Sequence, residues 1–165
     1  MAENEAQSVV LRPPISDWVE AFNTGNVTAI VALYTQDAEL FDSGMRRSRR
    51  GHDEIESWFR LRFSTMPTNV YSPQEQVLVE EEQTTVTWTL HGRGPRLLGQ
   101  AWLSRPFQVD GVSKFMLRDG RICKQQGSYD HLSVLRQLVP PLRWFPRVVM
   151  RFIYYVYLWR HGQYY

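Results

Sequence analysis

Residues 32–59 read ALYTQDAELFDSGMRRSRRGHDEIESWF and contain a helix–strand–loop–helix pattern. Leu33-Tyr34 are predicted to close one helix, and the alternation over 38–42 then predicts a short strand. A second helix is predicted to open at 51–54, where two acids occupy the first turn and the helix dipole favours negative charge. The strand therefore ends on an acid, Asp42, directly before a bend that contains glycine.

The chain on either side of this stretch predicts two helices before it and several strands after it. Pro13-Pro14 is a helix-start signal, and Gly25-Asn26 ends that first helix. The later pattern predicts strands at 76–80 and 83–92, a bent or bulged strand within 100–117, an Asp119-Gly120 hairpin turn, a returning strand and a short helix at 131–138. This order predicts an α+β cone in which a curved, mostly antiparallel sheet wraps around the N-terminal helices.

The order of these parts resembles the NTF2-like superfamily, most closely its SnoaL-like polyketide cyclase and steroid delta-isomerase branches. The resemblance covers roughly residues 13–138 and is strongest at 25–60. In the isomerases the same succession of "ALY-x-x-DA" helix, strand, Asp, loop, Gly and helix carries the proton-shuttling carboxylate, and Asp42 falls on that position. The domain is predicted to span 13–139, with a mobile arm at 1–12 and an extra helix or lid at 140–165.

Length and composition fit one soluble domain with a real core, because the chain has 165 residues and a formal net charge of +2. One cysteine excludes an internal disulfide, and the acidic N-terminus lacks the apolar segment of a secretory signal. No apolar run approaches the length of a spanning helix. We therefore expect a cytoplasmic protein.

Asp42 is the first catalytic candidate. Proton abstraction next to a carbonyl, or protonation of an alkene or epoxide, needs a carboxyl in a pocket that excludes water, and a strand end inside a cone supplies one. The alternative is structural, because Asp before Ser-Gly readily caps a bend.

Asp130 is the second catalytic candidate. In the SnoaL-like branch an acid near the end of the last long strand is taken to act as general acid or base in ring closure, and Tyr129-Asp130 occupies the corresponding place. An N-cap for the helix that begins at His131 explains this aspartate equally well.

A steroid isomerase also needs two donors for the developing enolate oxygen, and here the sequence departs from that family. The family's tyrosine position falls on Trp18, whose indole donates a hydrogen bond but does not ionise. The family's second acid falls near Val112 or Ser113, with Asp110 the nearest carboxyl. Both departures argue against authentic steroid isomerisation.

Aromatic side chains are predicted to line the pocket and to bind a bulky apolar substrate. The alternative is that they simply form the core. The candidates are Trp18, Phe22, Tyr34, Trp58, Phe59, Trp88, Trp102 and Phe115.

No metal or cofactor is predicted, since no His, Asp or Glu cluster has ligand spacing. His91 shares a face with threonines and is expected to point to solvent or an interface, whereas His52 is either a titrating group at the pocket mouth or a helix-start residue. The basic run 45–50 is interpreted as solvated charge, and no nucleic-acid partner is predicted because no stacking platform accompanies it.

Residues 140–165 contain no acid and are crowded with arginine and aromatic residues. They fit an interfacial helix in peripheral contact with a membrane, a lid over the cone, or packing against a second subunit. The last two are favoured, and a homodimer is expected.

The resemblance implies a cofactor-independent acid/base isomerase, cyclase or epoxide-opening enzyme that acts on a hydrophobic polyketide or terpenoid intermediate of secondary metabolism. Asp42 would be the proton shuttle, with Asp130 as its partner or substitute. The alternative is a non-catalytic ligand-binding or scaffold module of the same fold, since the fold alone does not choose between the two.

Overall fold

A computed structural model of the chain describes residues 10–66, 69–94 and 105–138, together with Phe152. The predictions for the N-terminal arm up to residue 9, for Trp102 and for the segment 140–165 therefore lie outside the described residues, apart from Phe152, which is helical and exposed. Homodimer formation and membrane contact stay predictions.

Two short helices open the described chain. α1 spans Ile15–Asn23 and buries Ile15, Trp18, Ala21 and Phe22, which recur at the three- and four-residue spacing of one helix face. The chain then turns at Gly25, which has a positive φ of 67° that glycine adopts without strain. Asn26 begins α2, Val27–Ala32, by accepting a hydrogen bond from the backbone N–H of Ala29.

A six-stranded sheet forms the other layer, in the order β2-β1-β6-β5-β4-β3. Its strands are β1 Tyr34–Asp42, β2 Arg49–Arg50, β3 Asn69–Glu80, β4 Gln83–Arg93, β5 Pro106–Arg118 and β6 Arg121–Tyr129. All neighbours are antiparallel except β1 and β6, which are parallel. Two further helices, α3 Gly51–Thr65 and α4 His131–Leu138, complete the described chain. The α+β architecture with a curved, mostly antiparallel sheet is confirmed.

The core lies between the first three helices and one face of the sheet. Its aromatic centre joins Trp18 and Phe22 of α1 to Phe59 of α3, to Tyr71 of β3 and to Phe115 of β5. Burial of such side chains stabilises the fold by roughly 1.5–3 kcal/mol each. The opposite face of β4 carries exposed His91, as expected.

Two predicted boundaries were wrong. Tyr34 begins β1 instead of closing the preceding helix, because α2 ends at Ala32 and β1 bonds to β6 from Tyr34 onward through an irregular register. β3 begins at Asn69 and not at residue 76, because it pairs with β4 along its full length.

From Pro106 onward the long strand β5 runs as one piece, and its pairing with β4 contains no bulge. Pro106 is the first residue of β5, and the pairing with β4 stays regular through Gly111. A Cβ at Gly111 would lie 2.4 Å from the Trp88 ring, so this glycine makes room for the indole. The register shift falls at Met116-Leu117, beside the Asp119-Gly120 turn, whose two positive φ values confirm the predicted hairpin.

Candidate active site

Asp42 ends β1 beside the parallel strand β6, where it pairs with Gly127. Its side chain is 18% exposed, and Oδ1 accepts a hydrogen bond from the backbone N–H of Gly44 at 2.9 Å. Oδ2 accepts no hydrogen bond from any described residue, and a Cβ at Gly127 would lie 3.3 Å from it. The aspartate therefore both closes the bend, as the structural alternative predicted, and keeps one oxygen available.

His131, the first residue of α4, lies next to Asp42 because β1 and β6 run in parallel and end at the same edge. Its Nε2 is 2.7 Å from the Ser43 hydroxyl and 3.8 Å from Oδ1 of Asp42. Burial lowers the pKa of His131, which the charge of Arg62 lowers further and those of Asp42 and Asp130 partly oppose. The imidazole is therefore held neutral at pH 7, in a state that can exchange a proton with its neighbours.

An aromatic cavity of about 40 Å³ has Asp42 in its wall. Five of the eight predicted substrate-binding residues line it, and these are Trp18, Phe22, Trp58, Phe59 and Trp88. Tyr34 and Phe115 are fully buried in the core and are absent from the cavity wall. Five of the predicted residues thus line the cavity and two belong to the core, and the binding of substrate by any of them stays a prediction.

Trp18 uses its indole N–H within the protein. Nε1 donates to the Tyr34 hydroxyl at 3.0 Å, and that hydroxyl donates in turn to Oε1 of Gln125 in the cavity wall. Burial raises the pKa of Tyr34, and the bond from Trp18 lowers it in part. The Trp18 indole N–H is therefore occupied, and the side chain contributes to the shape of the pocket. The indole N–H of Trp88 likewise donates to the Ser113 hydroxyl at 2.9 Å.

Tyr71 on β3 is a candidate donor that sequence reasoning missed. Its ring packs between the rings of Trp18 and Trp88, with centroids 5.3 Å and 5.0 Å away, and the residue is 4% exposed. The hydroxyl is buried in the cavity wall and makes no hydrogen bond of normal length and angle to a described residue. Burial raises the pKa of Tyr71, and a weak interaction with the Ser113 hydroxyl, which already accepts from Trp88, lowers that pKa in part. A buried donor without a partner costs about 1–3 kcal/mol, so such a group calls for an explanation.

Asp130 lies outside the cavity wall. It is exposed, and its Oδ1 accepts from the backbone N–H groups of Leu132 and Ser133 at 2.9 and 3.2 Å. This is the geometry of a helix N-cap. It also borders a separate shallow depression with Thr87, Thr89 and Asp110. Its catalytic role stays a prediction.

An acid of α3 neutralises part of the positive charge of the loop between β1 and α3. Arg47 forms two hydrogen bonds to the Glu54 carboxylate, at 2.8 and 3.0 Å, and holds the pKa of Glu54 down at about 2. Arg49 lies over the Trp58 ring, 5.8 Å from its centroid. His52 contacts the carbonyl oxygen of Tyr34 at 3.0 Å, which supports its interpretation as a helix-start residue that joins α3 to β1.

No group of three or more His, Cys, Asp or Glu side chains in the described part of the chain is arranged to hold a metal ion. None of the helices described above is long and apolar enough to cross a bilayer.

Solved structures with the same architecture are similar along most of their length. A protein with a ketosteroid isomerase-like fold from Catenulispora acidiphila, in complex with trimethylamine, is 20% identical, with a TM-score of 0.68 over 82% of this chain and 100% of its own. A putative SnoaL-like polyketide cyclase from Shewanella denitrificans is 15% identical, with a TM-score of 0.66 over 77% of this chain and 98% of its own. TerC, co-crystallised with polyporic acid, is 15% identical, with a TM-score of 0.64 over 75% and 94% of the two chains.

These similarities are similarities of fold, and the fold is the NTF2-like fold expected from the sequence. No curated protein sequence matches the chain. The sequence profile of the SnoaL-like domain, in contrast, matches residues 15–125, from the start of α1 to the middle of β6. The match contains Asp42, Tyr71 and most of the cavity wall. The chain therefore belongs to the SnoaL-like domain family.

Proposed function

We propose that this protein is a cofactor-independent acid/base enzyme, an isomerase or cyclase that acts on a hydrophobic polyketide or terpenoid intermediate. The observation that carries the proposal is the carboxylate of Asp42 in the wall of an aromatic cavity, with Oδ2 free of hydrogen bonds from described residues. Family membership supports the reaction class, and a cyclase-named structural neighbour agrees with it.

Asp42 acts as the base. Its bond to Gly44 fixes the orientation of the carboxylate, so Oδ2 faces a carbon next to a substrate carbonyl. The C–H bond breaks, the proton moves to Oδ2, and the electron pair passes to the carbonyl oxygen as an enolate. Return of the proton at another carbon completes an isomerisation. Attack of the enolate carbon on a second carbonyl, with protonation of the resulting alkoxide, completes a ring closure.

Tyr71 stabilises the enolate oxygen by donating the hydrogen bond that its hydroxyl does not make within the protein. Its raised pKa keeps the hydroxyl protonated throughout the pH range of the reaction. A single tyrosine on β3 thereby replaces the two groups that donate to the enolate oxygen in the steroid isomerases. This agrees with the departures from that family at Trp18 and Val112.

His131 positions the base. Its neutral imidazole contacts the Ser43 hydroxyl and lies 3.8 Å from Oδ1 of Asp42, so it restricts the movement of the carboxylate and of the residue that follows it. Asp130, one residue before it, holds the N-terminus of α4 and through it the position of the imidazole.

The cavity must enlarge for a ring-shaped substrate, because about 40 Å³ holds only a few water molecules. Trp58 and Tyr129 are only partly buried and lie in the cavity wall, so we expect these two side chains to move outward.

Hydrogen–deuterium exchange at carbons next to carbonyls tests the proposal without knowledge of the product. A panel of apolar ketones and enones is incubated with the enzyme in D₂O and followed by proton NMR. We expect exchange that slows by roughly 10²–10⁴-fold in Asp42→Asn, the range of a lost general base. Exchange that is equally fast with wild type and Asp42→Asn across the whole panel would favour the binding module.

A further inference from the structure

Arg62, near the end of α3, brings a positive charge into the cavity wall. Its guanidinium lies over the Phe22 ring, 5.5 Å from the centroid, and Nε is buried without a hydrogen-bond partner among the described residues. The side chain is thus held in place by an aromatic face and not by an acid.

Three other charged residues of α3, Glu54, Glu56 and Arg60, form ion pairs within the protein. Arg60 bonds to Glu56 one turn earlier at 2.6 Å, and Glu54 bonds to Arg47. Arg62 forms no ion pair with any acid in the described part of the chain. Asp42 lies in the same cavity wall as Arg62 but forms no ion pair with it.

A partly buried cation without a counter-ion is unfavourable, and a planar guanidinium matches a carboxylate in two parallel hydrogen bonds and also attracts an enolate oxygen. The aromatic side chains that line the cavity together with Arg62 and Asp42 suit a flat apolar body. An acidic substrate would therefore place its anion on Arg62 and a carbon near Asp42.

We propose that Arg62 is an anion-binding residue of the cavity, and that the substrate is an apolar ring compound that carries a carboxylate or an acidic enol. This inference rests on the proposed function, because it takes the cavity to be the substrate site. It adds the charge of the substrate, which the reaction class leaves open.

Isothermal titration with a matched pair of probes, 2-naphthoate and 2-naphthamide, tests the inference at low salt and pH 7.5. The two probes differ in charge and hardly in shape. We expect wild type to bind the carboxylate at least tenfold more tightly than the amide. Arg62→Gln is expected to lose that preference, and Arg62→Lys to keep a part of it.

Arg60→Gln is the matched control, because Arg60 lies on the same helix, is exposed, and is paired with Glu56. It should keep the full preference. The inference is overturned if wild type binds neither probe, if it binds both equally, if the preference survives Arg62→Gln, or if Arg60→Gln removes it to the same extent.

NMR of the arginine Nε–H groups in the wild-type protein keeps the test valid if Arg62→Gln fails to fold. The Arg62 resonance, assigned from Arg62→Lys, should shift on addition of 2-naphthoate and stay in place with 2-naphthamide. No shift with either probe also overturns the inference.

Binding and turnover fail independently in this design. If the wild type prefers 2-naphthoate through Arg62 but exchanges no substrate proton, the anion site is supported and the proposed enzyme is not. If exchange depends on Asp42 but the wild type binds the two probes equally, the proposed enzyme is supported and the anion site is not.

Discussion

Nε2 of His131 lies 3.8 Å from Oδ1 of Asp42, and the hydroxyl of Ser43 contacts the same nitrogen at 2.7 Å. Ser43 and His131 are 88 positions apart in the sequence. The contact exists because the last residues of two parallel strands emerge at one edge of the sheet. A hydroxyl and a neutral imidazole thereby lie beside a carboxylate that stands in the wall of an aromatic cavity.

His131 is expected to make the protein less stable as the pH falls below about 6.5, the ordinary pKa of histidine. Its pKa in the folded state is lowered, so the unfolded chain binds the proton first, and the free energy of unfolding drops between the ordinary and the lowered pKa. Above pH 6.5 the stabilising contribution is fully present. Urea unfolding of wild type and His131→Gln between pH 5 and 8 measures this, and the variant should have the flatter profile.

Three charged groups face the imidazole, and they set the size of this effect. Arg62 of α3 lowers the pKa of His131, whereas Asp42 of β1 and Asp130 before α4 raise it. Arg62→Gln should therefore shift the loss of stability to a higher pH and make it smaller. Parallel profiles for wild type and His131→Gln would show that another group causes the acid sensitivity.

Tyr71→Phe is expected to reduce the exchange rate roughly 10²–10³-fold, as the loss of one oxyanion donor does in other enzymes. Its free energy of unfolding should stay the same or rise, because the hydroxyl has no partner to lose among the described residues. Rate measurements and denaturant unfolding on the same preparation separate the two effects.

Tyr34→Phe is the matched control for Tyr71→Phe. The Tyr34 hydroxyl bonds to both Trp18 and Gln125, so its removal leaves buried polar atoms unpaired and should cost about 1–3 kcal/mol of stability. Equal loss of stability in both variants would contradict the donor role of Tyr71.

Asp130→Ala is expected to destabilise the protein by about 0.5–2 kcal/mol through loss of the cap on α4. Asp130→Asn should restore the stability, since asparagine caps a helix equally well, and should exchange substrate protons at nearly the wild-type rate. Thermal unfolding and the exchange assay give both values. An Asp130→Asn variant that is stable but exchanges substrate protons slowly would instead support the catalytic role that the sequence predicted.

Gly127→Ala should impair the reaction more than the fold. The new methyl group would stand 3.3 Å from Oδ2 of Asp42, close enough to push the carboxylate by a few tenths of an ångström. Gly111→Ala is the contrasting variant, because its methyl group would meet the Trp88 ring at 2.4 Å and should cost about 1–3 kcal/mol of stability. The ratio of lost rate to lost stability should therefore be higher for Gly127→Ala.

Most elements could be predicted from the sequence because their signals are local. The first helix, the long helix α3 and the Asp119-Gly120 turn depend on residues within a few positions of one another. The start of β1 was misplaced because it is fixed by hydrogen bonds to β6, which lies far along the chain, and the start of β3 because its pairing with β4 continues as far as Gly92. The close approach of the Trp88 indole to Gly111 could not be predicted, since it depends on how two strands pair.

The sequence by itself determined that an acid, Asp42, ends a strand before a glycine-containing bend, and that aromatic residues recur on the buried faces around it. Strand ends, caps and periodic faces are properties of neighbouring residues. Only the tertiary structure decided that His131 touches Ser43, that the Tyr71 hydroxyl is left without a described partner, and that Arg62 enters the cavity without a counter-ion. These contacts depend on the parallel pairing of β1 with β6 and on the packing of α3 over the sheet, where side chains distant in sequence meet at atomic distances.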